Sequence, residues 1–119
     1  TYLAGALAHA AGGAFPLVSP MIGAFGGFLT ASNAASNALF MNFQMDAASR
    51  LGLPQDWIAG AHNAAGSNAT LASPGRVVFA ATVAGHSGAE AMLLRRVLIL
   101  AILSTLGTVG VLWLALRGG

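Results

Sequence analysis

Residues 97–116 read VLILAILSTLGTVGVLWLAL, a run without a charged residue that lies between Arg95-Arg96 and Arg117. A helix of about 20 residues is roughly 30 Å long, which is the thickness of the hydrocarbon core of a bilayer. Trp113 suits the membrane interface near one end, and the arginines can reach the interface at both ends. The run therefore predicts a terminal transmembrane helix over residues 90–117, whose orientation the flanking charges leave open.

The composition of the whole chain supports a membrane protein. The 119 residues are 56% hydrophobic and only 7% charged, whereas a soluble domain is about 25% charged. The net charge of +2 comes from scattered arginines, which form no stripe for nucleic acid. Cysteine is absent and the three histidines lack helical i, i+4 spacing, so we expect no disulfide, metal site or cofactor.

The chain before the terminal helix is hydrophobic but interrupted. Gly12-Gly13 and Pro16 break the opening segment, so we expect residues 1–19 to hold the end of a preceding segment and a loop. Pro20 can begin a helix that runs to about Thr30, because its fixed φ suits the first helical position. A helix of about 11 residues reaches only about 16 Å, half the hydrocarbon thickness.

A polar segment, TASNAASN at residues 30–37, follows in a part of the chain that carries no acidic or basic residue. A second helix is predicted from about Ser36 to the residue before Gly52, which can take the left-handed conformation that ends helices. Two helical arms joined by a polar tip predict a re-entrant hairpin over residues 20–53, which enters the membrane and returns on the same side.

Residues 55–86 predict a discontinuous helix. One half begins at Gln55 and is expected to stop at Gly66, and the second begins with Ser73 as its N-cap and Pro74 as its first residue. The stretch between them is small and polar. Two interrupted segments of this kind are the best sequence indication of a transporter's central site, although an exposed loop is the alternative for the second one.

The polar segment and the break supply the candidate binding residues. The second arm of the hairpin begins at the polar segment, so main-chain N–H groups and the positive end of a helix dipole favour a carboxylate there. The alternative is that these side chains only hydrogen-bond across helices, at about 0.6 kcal/mol each. The substrate-binding candidates are Thr30, Ser32, Asn33, Ser36, Asn37, Ser67, Asn68, Thr70, Ser73 and Arg76.

Two ionisable residues have competing interpretations. Arg76 could bind a substrate carboxylate through two nitrogens, reach the membrane interface, or pair with Asp46 or Asp56. His62 could relay a proton, or it could be a structural hydrogen-bond donor.

The segment Gly85-His86-Ser87-Gly88-Ala89 resembles the nucleophile elbow of hydrolases. The motif requires glycine at position 89, and no histidine follows position 86 to complete a catalytic triad. We therefore predict no catalytic residue and no enzymatic activity.

Several stretches together resemble the C-terminal part of the lactate permease family. They are PLVSPMIGAFGGFLTASNAASNALFMNFQ (16–44), LGLP (51–54), Ser73-Pro74 with Arg76, AGHSGAE (84–90) and LLRRVL (93–98). The most specific part is the Thr-x-Ser-Asn-x-x-Ser-Asn pattern, followed by Leu-Phe and Gln44. The family comprises bacterial inner-membrane carriers of lactate, glycolate and related 2-hydroxymonocarboxylates, thought to be proton symporters.

The resemblance implies that the chain is a C-terminal fragment of a longer carrier. It also implies similarity to the ion-transporter superfamily, whose inverted repeats each place a hairpin tip opposite an unwound helix. Ser32 and Asn33 match that tip, and residues 66–73 match the facing break. Ala31 replaces a usual glycine, and Ala34 stands where threonine is common, which favours proton over sodium coupling.

The resemblance therefore predicts a multi-pass protein of the bacterial plasma (inner) membrane that carries a 2-hydroxymonocarboxylate by proton symport. Its partners would be the small monocarboxylate, protons, lipid and the remainder of the transporter chain, without nucleic acid. The alternative is a small structural or assembly membrane protein that has no transport site.

Overall fold

The computed structural model of the chain describes residues 2–119, and over that range it contains only helices, turns and short connections. This confirms the prediction of an all-α protein. The helices are α1 (Tyr2–Ala11), α2 (Phe15–Thr30), α3 (Asn33–Arg50), α4 (Gln55–Ala69), α5 (Pro74–Val83) and α6 (Glu90–Gly118). Two 3₁₀ turns lie between them, Gly12–Ala14 before α2 and Thr70–Ala72 after α4.

Helix α2 begins earlier than the sequence predicted. Pro16 occupies its first turn, where a missing N–H is harmless, and Pro20 lies inside the helix instead of at its start. Membrane helices tolerate such a proline where neighbouring helices cover it, and Pro20 is fully buried. The loop expected within residues 1–19 is reduced to the Gly12–Ala14 turn. With 16 residues, α2 is about 24 Å long and exceeds the predicted half-membrane length.

Helices α2 and α3 form a helical hairpin, joined by two residues. Ala31 takes the left-handed conformation with a φ of 55°, which ends α2. Ser32 is extended and accepts a hydrogen bond from the Ala35 N–H at 3.1 Å, which caps α3. Because Ser32 is the cap, the second arm begins at Asn33, three residues before the predicted Ser36.

Helix α4 packs against both arms of this hairpin. Its contact with α2 is so close that only glycine fits on α2: a Cβ at Gly23 would overlap the His62 carbonyl, and one at Gly27 would overlap the Gly66 carbonyl. Two glycines four residues apart form the small-residue surface that lets membrane helices approach closely. The glycine-rich part of α2 therefore determines how α4 sits on the hairpin.

The predicted stop at Gly66 is wrong. Gly66 keeps a negative φ and α4 continues to Ala69. Gly66 is needed for space, since a Cβ there would lie 2.9 Å from Asn33 Oδ1 and 3.0 Å from the Gly23 carbonyl oxygen. The interruption lies at Thr70–Ala72 and Ser73, and Pro74 begins α5 as predicted.

The main apolar core lies at the end of the hairpin opposite its tip. There Phe15, Ile58 and Leu112 are buried among small alanines from α1, α3 and α4. Helix α6 leaves most of its large apolar side chains exposed. Two segments are long and apolar enough to cross a membrane, Tyr2–Thr30 and Glu90–Gly118. The second contains the terminal helix that the sequence predicted.

Candidate functional site

Three asparagine side chains meet beside the hairpin tip. Asn33 and Asn37 lie one turn apart on α3, and each donates from Nδ2 to Oδ1 of Asn63 on α4 at 2.8 Å. We call Asn33, Asn37 and Asn63 the amide cluster. Asn63 was missed in the sequence, where it is one polar residue in an alanine-rich helix. Its only signal is its position three residues before Gly66, which places it on the same face of α4.

The amide cluster contains buried hydrogen-bonding capacity that the chain does not use. Asn33 Oδ1 and Asn37 Oδ1 are both inaccessible to solvent and have no hydrogen-bond partner among residues 2–119. A buried polar atom without a partner costs about 1–3 kcal/mol. Such atoms therefore point to a ligand or to another part of a larger protein.

The hydroxyl groups of the polar segment, in contrast, are engaged within the hairpin. Thr30 Oγ1 lies 2.7 and 2.8 Å from the carbonyl oxygens of Gly26 and Ser32, and its single hydrogen is donated to one of them at a time. Ser36 Oγ is buried and donates to the Gly23 carbonyl at 3.1 Å. Ser32 Oγ is used as the cap of α3. These three hydroxyls therefore shape the tip and hold α3 against α2.

Arg76 reaches the same tip from the first turn of α5. Its Nη2 donates to the Ala31 carbonyl at 2.8 Å, and it forms no ion pair within residues 2–119. Asp46, one of the two acidic partners considered for it, lies 3.1 Å from Arg50 Nε one turn along α3. One nitrogen of the guanidinium is thus anchored, and its other N–H groups can still donate to a ligand.

The remaining predicted site residues are not hydrogen-bonded to the tip. Asn68 Nδ2 donates to Ser104 Oγ on α6 at 2.6 Å. Thr70 Oγ1 donates to the Ser67 carbonyl at 2.7 Å, which shapes the 3₁₀ turn. Ser73 is buried and precedes α5 without capping it through its side chain. Because α4 continues through Ala69, Asn68 lies on the face of α4 opposite Gly66.

A second polar group lies where α2, α3 and α4 meet. Ser19, Gln44 and His62, here called the polar triad, are each 0% exposed. Ser19 Oγ donates to Gln44 Oε1, and Gln44 Nε2 lies 3.4 Å from the Ser19 carbonyl oxygen and 2.5 Å from His62 Nδ1. The sequence singled out His62 but assigned no role to the other two.

Helices α4 and α6 pack antiparallel. Trp57 near the start of α4 lines a cavity with Leu112 near the end of α6, and Leu71 just after α4 lines another with Val97. The Asn68–Ser104 hydrogen bond lies between these two contacts.

This register relates the amide cluster to the uncharged run of α6. At 1.5 Å per residue, Ser104 lies about 10 Å from Val97 and about 18 Å from Leu116. Gly66 precedes Asn68 by two residues on α4. Because α6 runs the opposite way, Gly66 lies about 3 Å nearer to the Leu116 end of α6 than Asn68 does. Gly66, with Asn33 Oδ1 against it, therefore lies level with the middle of residues 97–116.

The arrangement is suited to a small polar solute. Amide nitrogens, the first turn of α3 and an arginine can donate hydrogen bonds to an anion, while the two unpaired amide oxygens require a donor. No group of three or more His, Cys, Asp or Glu side chains that could hold a metal ion occurs within residues 2–119.

The chain is similar to known permeases along most of its length. The family model described as L-lactate permease matches residues 1–117. L-lactate permeases of Salmonella typhi and Escherichia coli K12 are 39% identical over 93 residues, which cover 78% of this chain and 17% of each relative. The glycolate permease GlcA of Escherichia coli K12 is 33% identical over 81 residues, 68% of this chain and 14% of that relative.

No solved structure matches the chain. The chain spans about a sixth of the length of the first of these relatives. Members of the matched family are transporters and not enzymes, in agreement with the prediction from the incomplete nucleophile elbow. Because the family model matches residues 1–117, nearly the whole chain, the chain belongs to the L-lactate permease family of membrane proteins.

Proposed function

We propose that the chain forms part of a carrier that moves lactate, glycolate or a similar 2-hydroxymonocarboxylate across the bacterial inner membrane together with protons. The names of its relatives, lactate and glycolate permeases, support this substrate class. The observation that carries the proposal is that two buried oxygens of the amide cluster have no hydrogen-bond donor in the part of the chain that the structure describes.

A 2-hydroxymonocarboxylate has the groups that this site needs. Its hydroxyl donates to Asn33 Oδ1 or Asn37 Oδ1, which are otherwise unpaired. Its carboxylate accepts from the N–H groups at the start of α3 and from Arg76, whose anchored guanidinium has donors to spare. Thr30, Ser32 and Ser36 hold the tip in shape around this site.

The opposing wall of the site is proposed to come from the break after α4. Ser67, Thr70 and Ser73 are proposed to belong to this wall, whereas Asn68, also a candidate by sequence, faces Ser104 on α6. The movement of the hairpin against the wall would expose the site to alternate sides. The Asn68–Ser104 bond ties this wall to α6 in the present conformation. Residues of the longer permease would complete the enclosure.

The proposed topology follows from the register of α6. If residues 97–116 cross the bilayer, the amide cluster lies near its midplane, where central transport sites occur. Residues 20–53 then act as a re-entrant hairpin and residues 55–86 as a discontinuous helix, in one part of an inverted repeat. The complete protein is multi-pass.

Proton coupling is proposed to involve His62, the buried histidine of the polar triad. It lies next to Asn63 in the chain, so a change in its charge would change the electrostatic potential at the amide cluster. Ala34 supplies no hydroxyl for a sodium ion at the tip, which supports protons as the coupling ion.

The second candidate is a structural or assembly role without transport. It is favoured by the hydroxyls of Thr30, Ser32 and Ser36, which are all satisfied within the hairpin. It does not account for the unpaired oxygens of the amide cluster.

Uptake of labelled lactate into membrane vesicles that contain the complete permease separates the two roles. Asn33→Ala should abolish uptake at normal expression, and Asn42→Ala, an exposed amide on the same helix, should leave it intact. Normal uptake by Asn33→Ala would refute the assignment of the tip.

A further inference from the structure

Only one assignment of donors and acceptors fits the hydrogen bonds of the polar triad. The Ser19 carbonyl oxygen can only accept, so the Gln44 atom that faces it must be the amide nitrogen. The Ser19 hydroxyl then donates to Gln44 Oε1. Ser19 therefore fixes the orientation of the Gln44 amide through two of its own groups.

The orientation of Gln44 in turn fixes the protonation of His62. Gln44 Nε2 is a donor, so His62 Nδ1, 2.5 Å away, must accept. In a neutral imidazole the other nitrogen then carries the hydrogen. The Ser36 main chain interacts with the ring, but no hydrogen bond of ordinary geometry reaches Nε2. The triad thus leaves the buried Nε2–H without a side-chain partner in residues 2–119, next to the Ser36 main chain.

We propose that Gln44 and Ser19 are positioning residues that hold His62 as its neutral Nε2–H tautomer, and that Gln44 must reverse its amide before His62 accepts a proton. This inference rests on the proposed proton-coupled transport. A proton that binds Nδ1 would meet the Gln44 N–H, placing two donors face to face. Reversal of the amide presents Oε1 to the new Nδ1–H and turns Nε2 towards the Ser19 hydroxyl.

The reversal links the charge of His62 to the packing of three helices. Ser19 lies on α2, Gln44 on α3 and His62 on α4, so both arms of the hairpin and the helix beside them take part. After reversal, Gln44 Oε1 faces the Ser19 carbonyl oxygen, an unfavourable pair that a shift of α2 against α3 would relieve. Proton binding thereby biases the position of the hairpin.

No other ionisable group is hydrogen-bonded to the imidazole among the described residues. Helix α2 and the Thr70–Ala72 turn carry none, and on α3 Asp46 and Arg50 pair with each other. On α4 itself Asp56 lies almost two turns before His62. The charged residues of α6 lie near its ends, at Glu90, Arg95, Arg96 and Arg117.

Two variants of the complete permease test the proposal. Gln44→Met keeps the length of the side chain without its amide, and Ser19→Ala removes only the hydroxyl. Asn42→Met is the matched control, because Asn42 is exposed on the same helix. The first readout is the ¹⁵N spectrum of the histidine imidazoles in membranes, with His62 assigned as the signal lost in His62→Asn.

The wild type and Asn42→Met should show the Nε2–H tautomer of His62 alone, while Gln44→Met should show a mixture with the Nδ1–H form. Ser19→Ala keeps the carbonyl that orients Gln44, so it should show a smaller share of the Nδ1–H form. An unchanged tautomer in Gln44→Met overturns the proposal. If Gln44→Met does not fold, an unchanged tautomer in Gln44→Leu overturns it instead. This readout does not depend on transport, so a wild-type permease that carries no lactate would refute only the proposed function.

The second readout compares lactate accumulation driven by a pH gradient with lactate exchange without one. In Gln44→Met the pH gradient should no longer drive accumulation, so the ratio of lactate inside to outside should fall to the value reached without a gradient. Lactate exchange should be retained. If Gln44→Met had an altered tautomer but accumulated as much lactate as the wild type, the reversal of the Gln44 amide would have no role in coupling transport to protons.

Discussion

Asn68 Nδ2 on α4 donates to Ser104 Oγ on α6 at 2.6 Å, and this contact relates the hairpin to the terminal helix. Ser104 belongs to the uncharged run that was predicted to cross the membrane. Because the two helices are antiparallel, the contact brings Gly66 and the amide cluster level with the middle of that run. The proposed depth of the transport site depends on this register.

Gly27→Ala should destabilise the permease by about 1–3 kcal/mol, because the added Cβ overlaps the main chain of α4 at Gly66 and forces the helices apart. Thermal unfolding of the purified protein in detergent measures the change. Gly60→Ala is the control, since a Cβ at Gly60 meets no atom within 4 Å. Equal stability of the two variants would mean that α2 and α4 do not approach as closely as described.

Ser32→Ala should remove the cap of α3 and lower the stability by about 1 kcal/mol. Ser32→Thr keeps a hydroxyl that can accept from the Ala35 N–H, so it should retain most of the stability and of the lactate uptake. The pair is compared by thermal unfolding and by vesicle uptake. If Ser32→Thr were as impaired as Ser32→Ala, capping would not be the role of this side chain.

Asn63→Ala removes the shared acceptor of Asn33 and Asn37 and leaves both side chains unfixed. We expect the KM for lactate to rise about fivefold, since a hydrogen bond between neutral groups is worth about 1 kcal/mol. The initial rate of uptake at several lactate concentrations provides the KM. Asn42→Ala should keep the wild-type KM, and the same KM in both variants would exclude Asn63 from the site.

Arg76→Gln should raise the KM for lactate more than Arg76→Lys does, because lysine keeps the charge without the planar pair of donors. Thermal unfolding is measured in parallel, because Arg76 also anchors the tip through the Ala31 carbonyl. A Gln variant that is less stable but has a normal KM would show that Arg76 only anchors the tip.

Much of the helix pattern was predictable because local signals and packing agree. Gly52 has a φ of 66° just after α3, and Pro74 begins α5, as their residue types indicated, although the Ser73 side chain before Pro74 does not cap the helix. The uncharged run from Val97 predicted α6, since its composition alone excludes most other environments.

The errors arose where one residue type serves two purposes. Gly66 was interpreted as a helix end, but it provides space for α2 and for Asn33, and only the tertiary contact distinguishes these roles. Pro20 was interpreted as a helix start, but Pro16 already fills that position and packing covers Pro20.

The site was only partly predictable for a related reason. Asn33 and Asn37 are conspicuous in the sequence because they repeat beside serines in an apolar region. Asn63 and Gln44 are single amides on other helices, and their convergence on the tip and on His62 depends on how the three helices pack.

The central claim is that the amide cluster binds the carried hydroxy acid within the membrane. It is tested most directly in a permease whose only cysteine replaces Asn37, which leaves Asn33 Oδ1 to accept from the substrate hydroxyl. The reaction of this cysteine with a membrane-impermeant thiol reagent is measured with and without lactate. We predict slow labelling that lactate suppresses and propionate, which lacks the 2-hydroxyl, does not. Labelling that is fast and unaffected by lactate would contradict the account.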